Sequence, residues 1–400
     1  MNKRLLLFAS TTGYQLRAFA DAARRLGVHL TLATDRCHVI EDPWGDGAVA
    51  VKFDRPAESL HALRDMQFDG VAAVGDGPVV LAAQAAEMLR IPFHPAAAAR
   101  ACHDKHLARQ LYQAAGMRVP WFFRAAFHDD PDSLALRASY PCVLKPLGLS
   151  ASRGVIRAND SAEFTAAFRR IGKMGERGLQ VEGYIEGREF AVEGLVTAGE
   201  FRALALFDKP DPLTGPFFEE TIYVTPSREA ADVQSALLET AARAVHALGL
   251  YHGPAHIELR YDGESAWILE TAARPIGGLC ARTLRFDQGI PLEELIVRHA
   301  LGEDVSAMQR EESASGVMMI PIPKAGIYES VHGIEDASAE VIITAQPGQR
   351  LVPLPEGSSY LGFIFARAAS AGEVEAALRQ SHAALRFQIA TALETFRPSP

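Results

Sequence analysis

Apolar runs of two different periods alternate along the first hundred residues. Leu5-Leu6-Leu7-Phe8-Ala9 is an unbroken apolar run, which reads as a buried strand. After it, Leu16, Phe19, Ala20, Ala23 and Leu26 recur at helical spacing, while Arg17, Asp21, Arg24 and Arg25 take the opposite face. Gly27 closes that helix, and Val28-His29-Leu30-Thr31-Leu32-Ala33 is the next strand. Strand, helix, strand in this order predicts a parallel α/β unit. A second unit runs through Gly70–Val74, the loop Gly75-Asp76-Gly77-Pro78 and a helix through Met88. Residues 1–98 are therefore expected to form a doubly wound, Rossmann-like α/β domain. The loops at Ser10–Gly13 and Gly75–Pro78 leave strand C-termini, where such sheets bind ligands. Gly13 reads as a turn glycine, because no Gly-x-Gly-x-x-Gly accompanies it.

The middle of the chain changes rhythm. His103-Asp104-Lys105-His106-Leu107 opens a helix that stops at Gly116, and Pro141-Cys142-Val143-Leu144-Lys145-Pro146 is a short buried strand carrying one lysine. The run Gly148–Val155 is small and flexible, able to bring backbone N–H groups near phosphate oxygens. A helix from Ser161 to about Ile171 and a strand ending at Val181 follow, so residues 121–190 should form an α+β lid. A long helix spans Glu229 to Leu248, with Val233, Leu237, Ala241, Ala244 and Leu248 on its core face and Gly249 ending it. The segment 306–400 alternates short strands with turns and is expected to finish in a helix through Leu385.

Two glutamates on a hairpin carry the most chemistry. His256–Tyr261 alternates apolar and polar residues, Asp262-Gly263-Glu264-Ser265 is a turn, and Trp267–Thr271 returns. Pairing Tyr261 with Trp267 sets Glu258 directly opposite Glu270, where like charges repel. Something cationic must compensate them. Arg260 and Arg274 can do so as salt bridges, or one or two magnesium ions can, held by two carboxylates and the phosphates of a nucleotide. Lys145, a buried cation, needs an anion: a phosphate, or a buried carboxylate.

Composition narrows the classes. At 400 residues and 48% hydrophobic content the chain can bury two or three ordinary cores. Its net charge of −9, dispersed without a basic stripe, argues against nucleic acid or an anionic membrane as partner. Cys37, Cys102, Cys142 and Cys280 are scattered as reduced thiols would be. The apolar start is too short for a signal peptide, and no segment reaches the length of a membrane span. A cytoplasmic location is expected.

Taken in order, a lysine opening a helix, a strand lysine, a small-residue loop, an acidic strand exit and two opposed glutamates resemble the ATP-grasp superfamily of carboxylate–amine ligases. The resemblance covers roughly residues 100–280 as motif. Gly357-Ser358-Ser359-Tyr360-Leu361-Gly362-Phe363-Ile364-Phe365-Ala366 is similar to the C-terminal domain of its L-amino-acid ligases. The fold implied is an ATP-grasp fold: the N-terminal Rossmann-like domain, an ATP-grasp domain over 99–305 with its lid, and a small α+β domain over 306–400. ATP is the implied nucleotide and Mg2+ the implied metal, with Mn2+ as a substitute. Small-molecule carboxylate and amine substrates are the implied partners, and a homodimer is the candidate assembly.

The resemblance also implies roles. Lys105 and Lys145 would meet the ATP phosphates, with Ser150, Ser152, Arg153 and Gly154 in the loop folding over them; an ordinary hairpin, and for Arg153 a solvated charge, are the alternatives. Glu182, Tyr184 and Ile185 resemble the hinge that reads adenine, and Glu189 resembles the ribose acceptor; Glu182 and Glu186 could otherwise be surface carboxylates. Glu258 and Glu270 would hold the metal. Glu220, after Phe217-Phe218-Glu219, occupies the place of an acidic residue that meets a substrate amino group. One departure stands out: many members carry asparagine two residues after the second glutamate, as a third metal ligand, and here that residue is Ala272. Arg274 gains weight as a fork for a substrate carboxylate or acyl phosphate, pointing toward the first domain. Gly277 and Gly278 could supply amides to a carboxylate, or form a plain loop. The expected activity joins a carboxylate, as its acyl phosphate, to an amine, giving an amide or dipeptide, ADP and phosphate. A purine-pathway or biotin-carboxylase-like enzyme acting on bicarbonate, or an ATP-binding regulatory module without catalysis, are the alternatives.

Overall fold

The computed structural model describes residues 3–10, 15–35, 47–175 and 178–391. The chain forms two compact units. One comprises the residues up to Val119 with Ile185–Phe207 and Ser227–Glu312, the other Pro120–Tyr184, Asp208–Pro226 and the chain from Ser313 onward.

In the first unit, Arg4–Ala9 lies between His29–Thr34 and Gly70–Val74 in a four-stranded parallel sheet, with Ala48–Ala50 on its edge. Leu5, Leu6, Leu7 and Phe8 are fully buried, as the central strand of a sheet covered on both faces must be. Helix Gln15–Arg25 buries Leu16, Phe19, Ala22 and Ala23, and Asp76–Leu89 follows the loop at Gly75. Gly13 and Cys37 lie outside the described residues, while Cys102, Cys142 and Cys280 are buried. Two short helices, Ala96–His103 and Lys105–Ala114, meet at Asp104, whose carboxylate accepts from the N–H groups of His106 and Leu107 and caps the second.

A second sheet of this unit has the order Ala266–Ala272, Gly253–Tyr261, Arg188–Thr197 and then Glu200–Lys209, whose first eight residues belong here. Helix Ala231–Leu248 packs Leu237, Ala241 and Val245 in one core with Ile257, Leu259 and Ile268. It ends at Gly249, whose φ of +72° is the left-handed cap expected of glycine.

The hairpin register corrects the sequence reading. Glu258 does face Glu270, but Tyr261 pairs with Ala266 and Arg260 with Trp267, and a bulge at Leu269 absorbs the difference. Uniform pairing would have opposed Arg260 to Ile268 and turned Ile268 onto the polar face. The inserted residue lets Ile268 stay fully buried while the two carboxylates remain opposed.

In the second unit, Phe122–Ala125, Leu179–Gly183, Cys142–Pro146 and Ile156–Ala158 form an antiparallel sheet in that order, packed against Pro131–Arg137 and Ser161–Gly172. Ile222–Thr225, Ala314–Ile320, Gly362–Ala368 and Glu340–Ile343 pair antiparallel in that order, with Asp208 opposite Val224. Helix Ala371–Ala384 buries Val374 and Leu378 against these strands. The expected terminal helix is not the last element. Strand Arg386–Ala390 follows and pairs with Gly326–His332; its Phe387 and Ile389 are half-buried while Arg386 and Gln388 are exposed, the two-residue alternation of a strand.

Candidate active site

Strand alternation places three rows of side chains on one face of the first unit's second sheet. Glu193, His256 and Ala272 form one row; Ala191, Glu258 and Glu270 the next; Glu189, Arg260 and Trp267 the third. The opposite face carries Ile257, Leu259 and Ile268 into the core. All chemistry therefore sits on one side of the sheet, and packing on the other.

Each of the two arginines also holds a carboxylate outside the opposed pair. Arg260 donates to Glu189 at 3.0 Å and to the carbonyl of Ile185 at 2.6 Å. Arg274 forks onto Asp76, Nε to Oδ1 at 2.9 Å and Nη2 to Oδ2 at 3.0 Å. Lys105 reaches Glu270 at 3.4 Å, and His256 Nε2 lies 3.7 Å from Glu258. One turn along the helix from Lys105, the buried Arg109 donates to the carbonyls of Ile268 at 2.7 Å and Leu269 at 3.2 Å. The helix thus grips the bulged strand at the bulge itself, which aims Lys105 at the carboxylate one residue on. The side chains of Glu258 and Glu270 remain 28% and 32% exposed. Two partly hydrated carboxylates are a donor set that suits magnesium, which keeps several waters and takes its other oxygens from phosphates.

Asp76 and Arg274 are strongly coupled charges. Burial alone would raise the Asp76 carboxyl, but the charge and hydrogen bonds of Arg274, aided by Lys105 and His103, override it and hold the group at about 2. Burial disfavours charge on Arg274 too, and Asp76, Glu270 and Glu258 more than restore it. Arg274 is on the chain just past the second glutamate, and Asp76 at the C-terminal end of a parallel strand, where α/β sheets place ligand groups. Beyond Arg274, the Ile276 N–H turns inward to Glu193, while Gly277 and Gly278 are exposed.

The second unit holds the remaining candidates. Lys145 lies 2.5 Å from Glu182, and Gln180 also donates to that carboxylate, at 2.8 Å. The buried-carboxylate partner for Lys145 is therefore present, and Glu182 is no surface group, unlike the exposed Glu186. A lysine has three donors, so this pair leaves capacity for a phosphate. In the small-residue loop, Ala151, Ser152 and Gly154 have φ of +55°, +54° and +71°. The N–H groups of Arg153, Gly154 and Val155 donate to carbonyls of Ser150, Pro355 and Ser152, and Arg153 Nε donates to the Glu356 carbonyl at 2.9 Å. Ser150 is exposed and Ser152 half-buried. The Tyr184 ring stacks on Phe218, centroids 6.3 Å apart, with the Arg157 guanidinium 4.1 Å over it. Glu220 pairs with the buried Lys209, which also sits 4.9 Å from the Tyr223 ring.

Sequence reading passed over Asp76, Arg109, Glu193, Lys209 and His256 as site residues. For His256 a signal existed: it precedes Glu258 by two on one strand and so shares its face. For Asp76 the signal was its loop, Gly75–Pro78 at a strand C-terminus; the others depend on partners distant in the chain.

Comparison with known proteins adds the family context. Residues 138–283 match the ATP-grasp domain, and 318–390 match the L-amino acid ligase C-terminal domain 2. The crystal structure of an L-amino acid ligase from Bacillus licheniformis has a TM-score of 0.83 and 27% identity, covering 98% of this chain and 99% of that one. The alanine–anticapsin ligase of Bacillus subtilis (strain 168) is 25% identical over 241 residues, 54% of this chain and 50% of that protein. The D-alanine–D-alanine ligase B of Chromobacterium violaceum is 26% identical over 265 residues, 63% of this chain and 86% of its own length.

Proposed function

We propose that this chain, whose residues 138–283 match the ATP-grasp domain and 318–390 the L-amino acid ligase C-terminal domain 2, is an ATP-grasp carboxylate–amine ligase that joins two amino acids through an acyl phosphate. The observation that carries the reading is the shared polar face. It sets Glu258 and Glu270 opposite each other beside Lys105, with the Asp76-held fork of Arg274 four residues beyond Glu270.

In this reading Lys105 and Lys145 hold the polyphosphate of ATP, and the loop with Ser150, Ser152, Arg153 and Gly154 covers it. Glu182, Tyr184 and Ile185 line the adenine, and Glu189 accepts from the ribose. Glu258 and Glu270 hold Mg2+, which when bound neutralises phosphate charge. Arg274, oriented by Asp76, holds the carboxylate of the first amino acid, so that one of its oxygens meets the γ-phosphorus. That oxygen forms the new O–P bond as the bond to the ADP oxygen breaks. Alignment and fixed positive charge provide the acceleration. The amine of the second substrate then forms the C–N bond, the C–O bond to phosphate breaks, and the proton given up by the nitrogen leaves with the departing phosphate. Arg274 stabilises the oxyanion of the intervening tetrahedral species. Glu220 meets a substrate amino group, and the amides near Gly277 and Gly278 meet a substrate carboxylate.

Phosphate release from ATP tests the reading, measured with single amino acids, then pairs, then bicarbonate. Turnover that requires an amino-acid pair and yields a dipeptide by mass supports it. Turnover with bicarbonate alone supports the carboxyphosphate alternative, and nucleotide binding without turnover supports the regulatory one.

A further inference from the structure

The loop read as covering the phosphates of ATP has one end that the protein itself holds. Ala151 at its tip is exposed, whereas Gly154 is buried, in so close a fit that a Cβ there would meet Pro146 Cγ at 2.6 Å and Met174 Sδ at 3.2 Å. Pro146 directly follows Lys145 on its strand, so this end of the loop sits beside the lysine read as a phosphate ligand. Against it lies the turn Pro353–Gly357, closed by the Gly357 N–H on the Pro353 carbonyl at 2.9 Å. Two carbonyls of that turn take donors from the loop. Pro355 accepts from the Gly154 N–H at 2.8 Å, and Glu356 from Arg153 Nε at 2.9 Å.

The Glu356 side chain ties the turn down. Arg170 forks onto it, Nε to Oε1 at 2.6 Å and Nη2 to Oε2 at 2.9 Å. The same guanidinium lies 5.1 Å from the centroid of the Phe217 ring, and Phe217 bridges to Ile156, two residues past Gly154. Arg170 stands in the last turn of helix Ser161–Gly172, where the helix dipole favours a cation.

We propose that Arg170 and Glu356 are positioning residues for the nucleotide: their fork fixes the turn Pro353–Gly357, whose carbonyls hold Arg153 and Gly154 as the stationary end of the phosphate-covering loop. The proposal rests on the reading of that loop as a phosphate cover. It gives the segment that matches the L-amino acid ligase C-terminal domain 2 a part in binding ATP. Arg153 is then an anchor, and Ser150–Ser152 are the residues that settle on the phosphates. Holding one end leaves fewer residues to order when the nucleotide binds, so less conformational entropy opposes binding. Both side chains of the fork are nearly half exposed, and such a pair adds little to folding. Its loss should therefore show in the loop. The rival account makes the fork a surface brace with no bearing on the nucleotide.

Hydrogen exchange and calorimetry on the full chain separate the two accounts. Without nucleotide, the Gly154 amide should exchange more slowly, relative to its intrinsic rate, than those of Ala151 and Ser152. Glu356→Gln should speed Gly154 by about fivefold, the scale of one well-formed exposed pair. Affinity for a non-hydrolysable ATP analogue with Mg2+ should fall about fivefold in Glu356→Gln and in Arg170→Gln, and no further in the double variant, because both residues act through one fork. Affinity for AMP, which offers the loop no β- or γ-phosphate, should be the same in all of them. Three results overturn the proposal and leave the nucleotide site standing: equal protection of Gly154 and Ala151 in the unsubstituted protein, unchanged analogue affinity in the variants, or equal losses for the analogue and AMP. An unsubstituted protein that binds neither nucleotide overturns the nucleotide reading and the proposal with it.

Discussion

Asp76→Asn removes the carboxylate that holds Arg274 and leaves a guanidinium with 14% of its side chain exposed. The drop of Asp76 from an ordinary 3.8 to about 2 corresponds to about 2 kcal/mol of preference for its charged form, at 1.36 kcal/mol per pH unit. Removing one member of a buried pair can exceed that, reaching about 3–5 kcal/mol, because the other charge is stranded. A double-mutant cycle of Asp76→Asn with Arg274→Gln isolates the pair itself. Urea unfolding at pH 7 should give a coupling of at least about 2 kcal/mol, because the pair lowers the carboxyl that far against its burial. The sign with pH follows from the depressed carboxyl: the coupling is fully present above about pH 4, the unfolded value, and is lost as pH falls toward 2. Because Asp76 also aims the fork, Asp76→Asn should raise KM for the amino acid more than KM for ATP. Arg274→Lys should impair turnover almost as much as Arg274→Ala, since both lose the planar fork. A coupling near zero at pH 7, or one unchanged between pH 7 and pH 2.5, refutes the reasoning.

Other consequences are as direct. Lys145→Ala should lower kcat/KM by about 2.7–4 kcal/mol of transition-state stabilisation, the scale of one preorganised donor; steady-state rates within twofold of the parent remove Lys145 from the chemistry. Three histidines of the first unit should make the protein acid-sensitive. Burial holds His94 down at about 4 and His299 at about 3, and the rings of His252 and His299 stack 4.0 Å apart. A buried neutral histidine is protonated first in the unfolded chain, so stability is complete above about pH 6.5 and declines below it, by about 2 kcal/mol each for His94 and His299 at pH 5, with His252 acting in the same direction. Urea midpoints of the parent and His299→Asn that fall equally between pH 7 and 5 would contradict this. Hydrogen exchange at Ala151 and Ser152 should slow when Mg-ATP is added, because the loop then covers the phosphates; equal rates in both states mean that it does not.

Local periodicity carried the architecture further than the site. The parallel sheet of the first unit was legible because Leu5–Ala9 and the Leu16, Phe19, Ala23 stripe each serve a single core face. The opposition of Glu258 to Glu270 was legible from turn chemistry, but the bulge was not. It arises from the conflict between burying Ile268 and keeping the carboxylates opposed, which pairing parity alone does not reveal. Strand Arg386–Ala390 hid behind a helical pattern, because a five-residue alternation is a weak signal beside fourteen helical residues. What sequence could not supply was partnership. Asp76 is 198 residues from Arg274, Arg109 is 159 from Ile268, and Glu193 is 63 from His256. Each pair is made by strands and helices meeting in space, so no local window contains it.

The acyl phosphate is the central claim, and oxygen transfer tests it most directly. The amino acid that supports turnover is labelled with 18O in its carboxylate, and the inorganic phosphate is analysed by mass. The account predicts one labelled oxygen in each phosphate formed, because the carboxylate oxygen that attacks phosphorus leaves with it when the amine displaces it. Dipeptide formed with unlabelled phosphate contradicts the account.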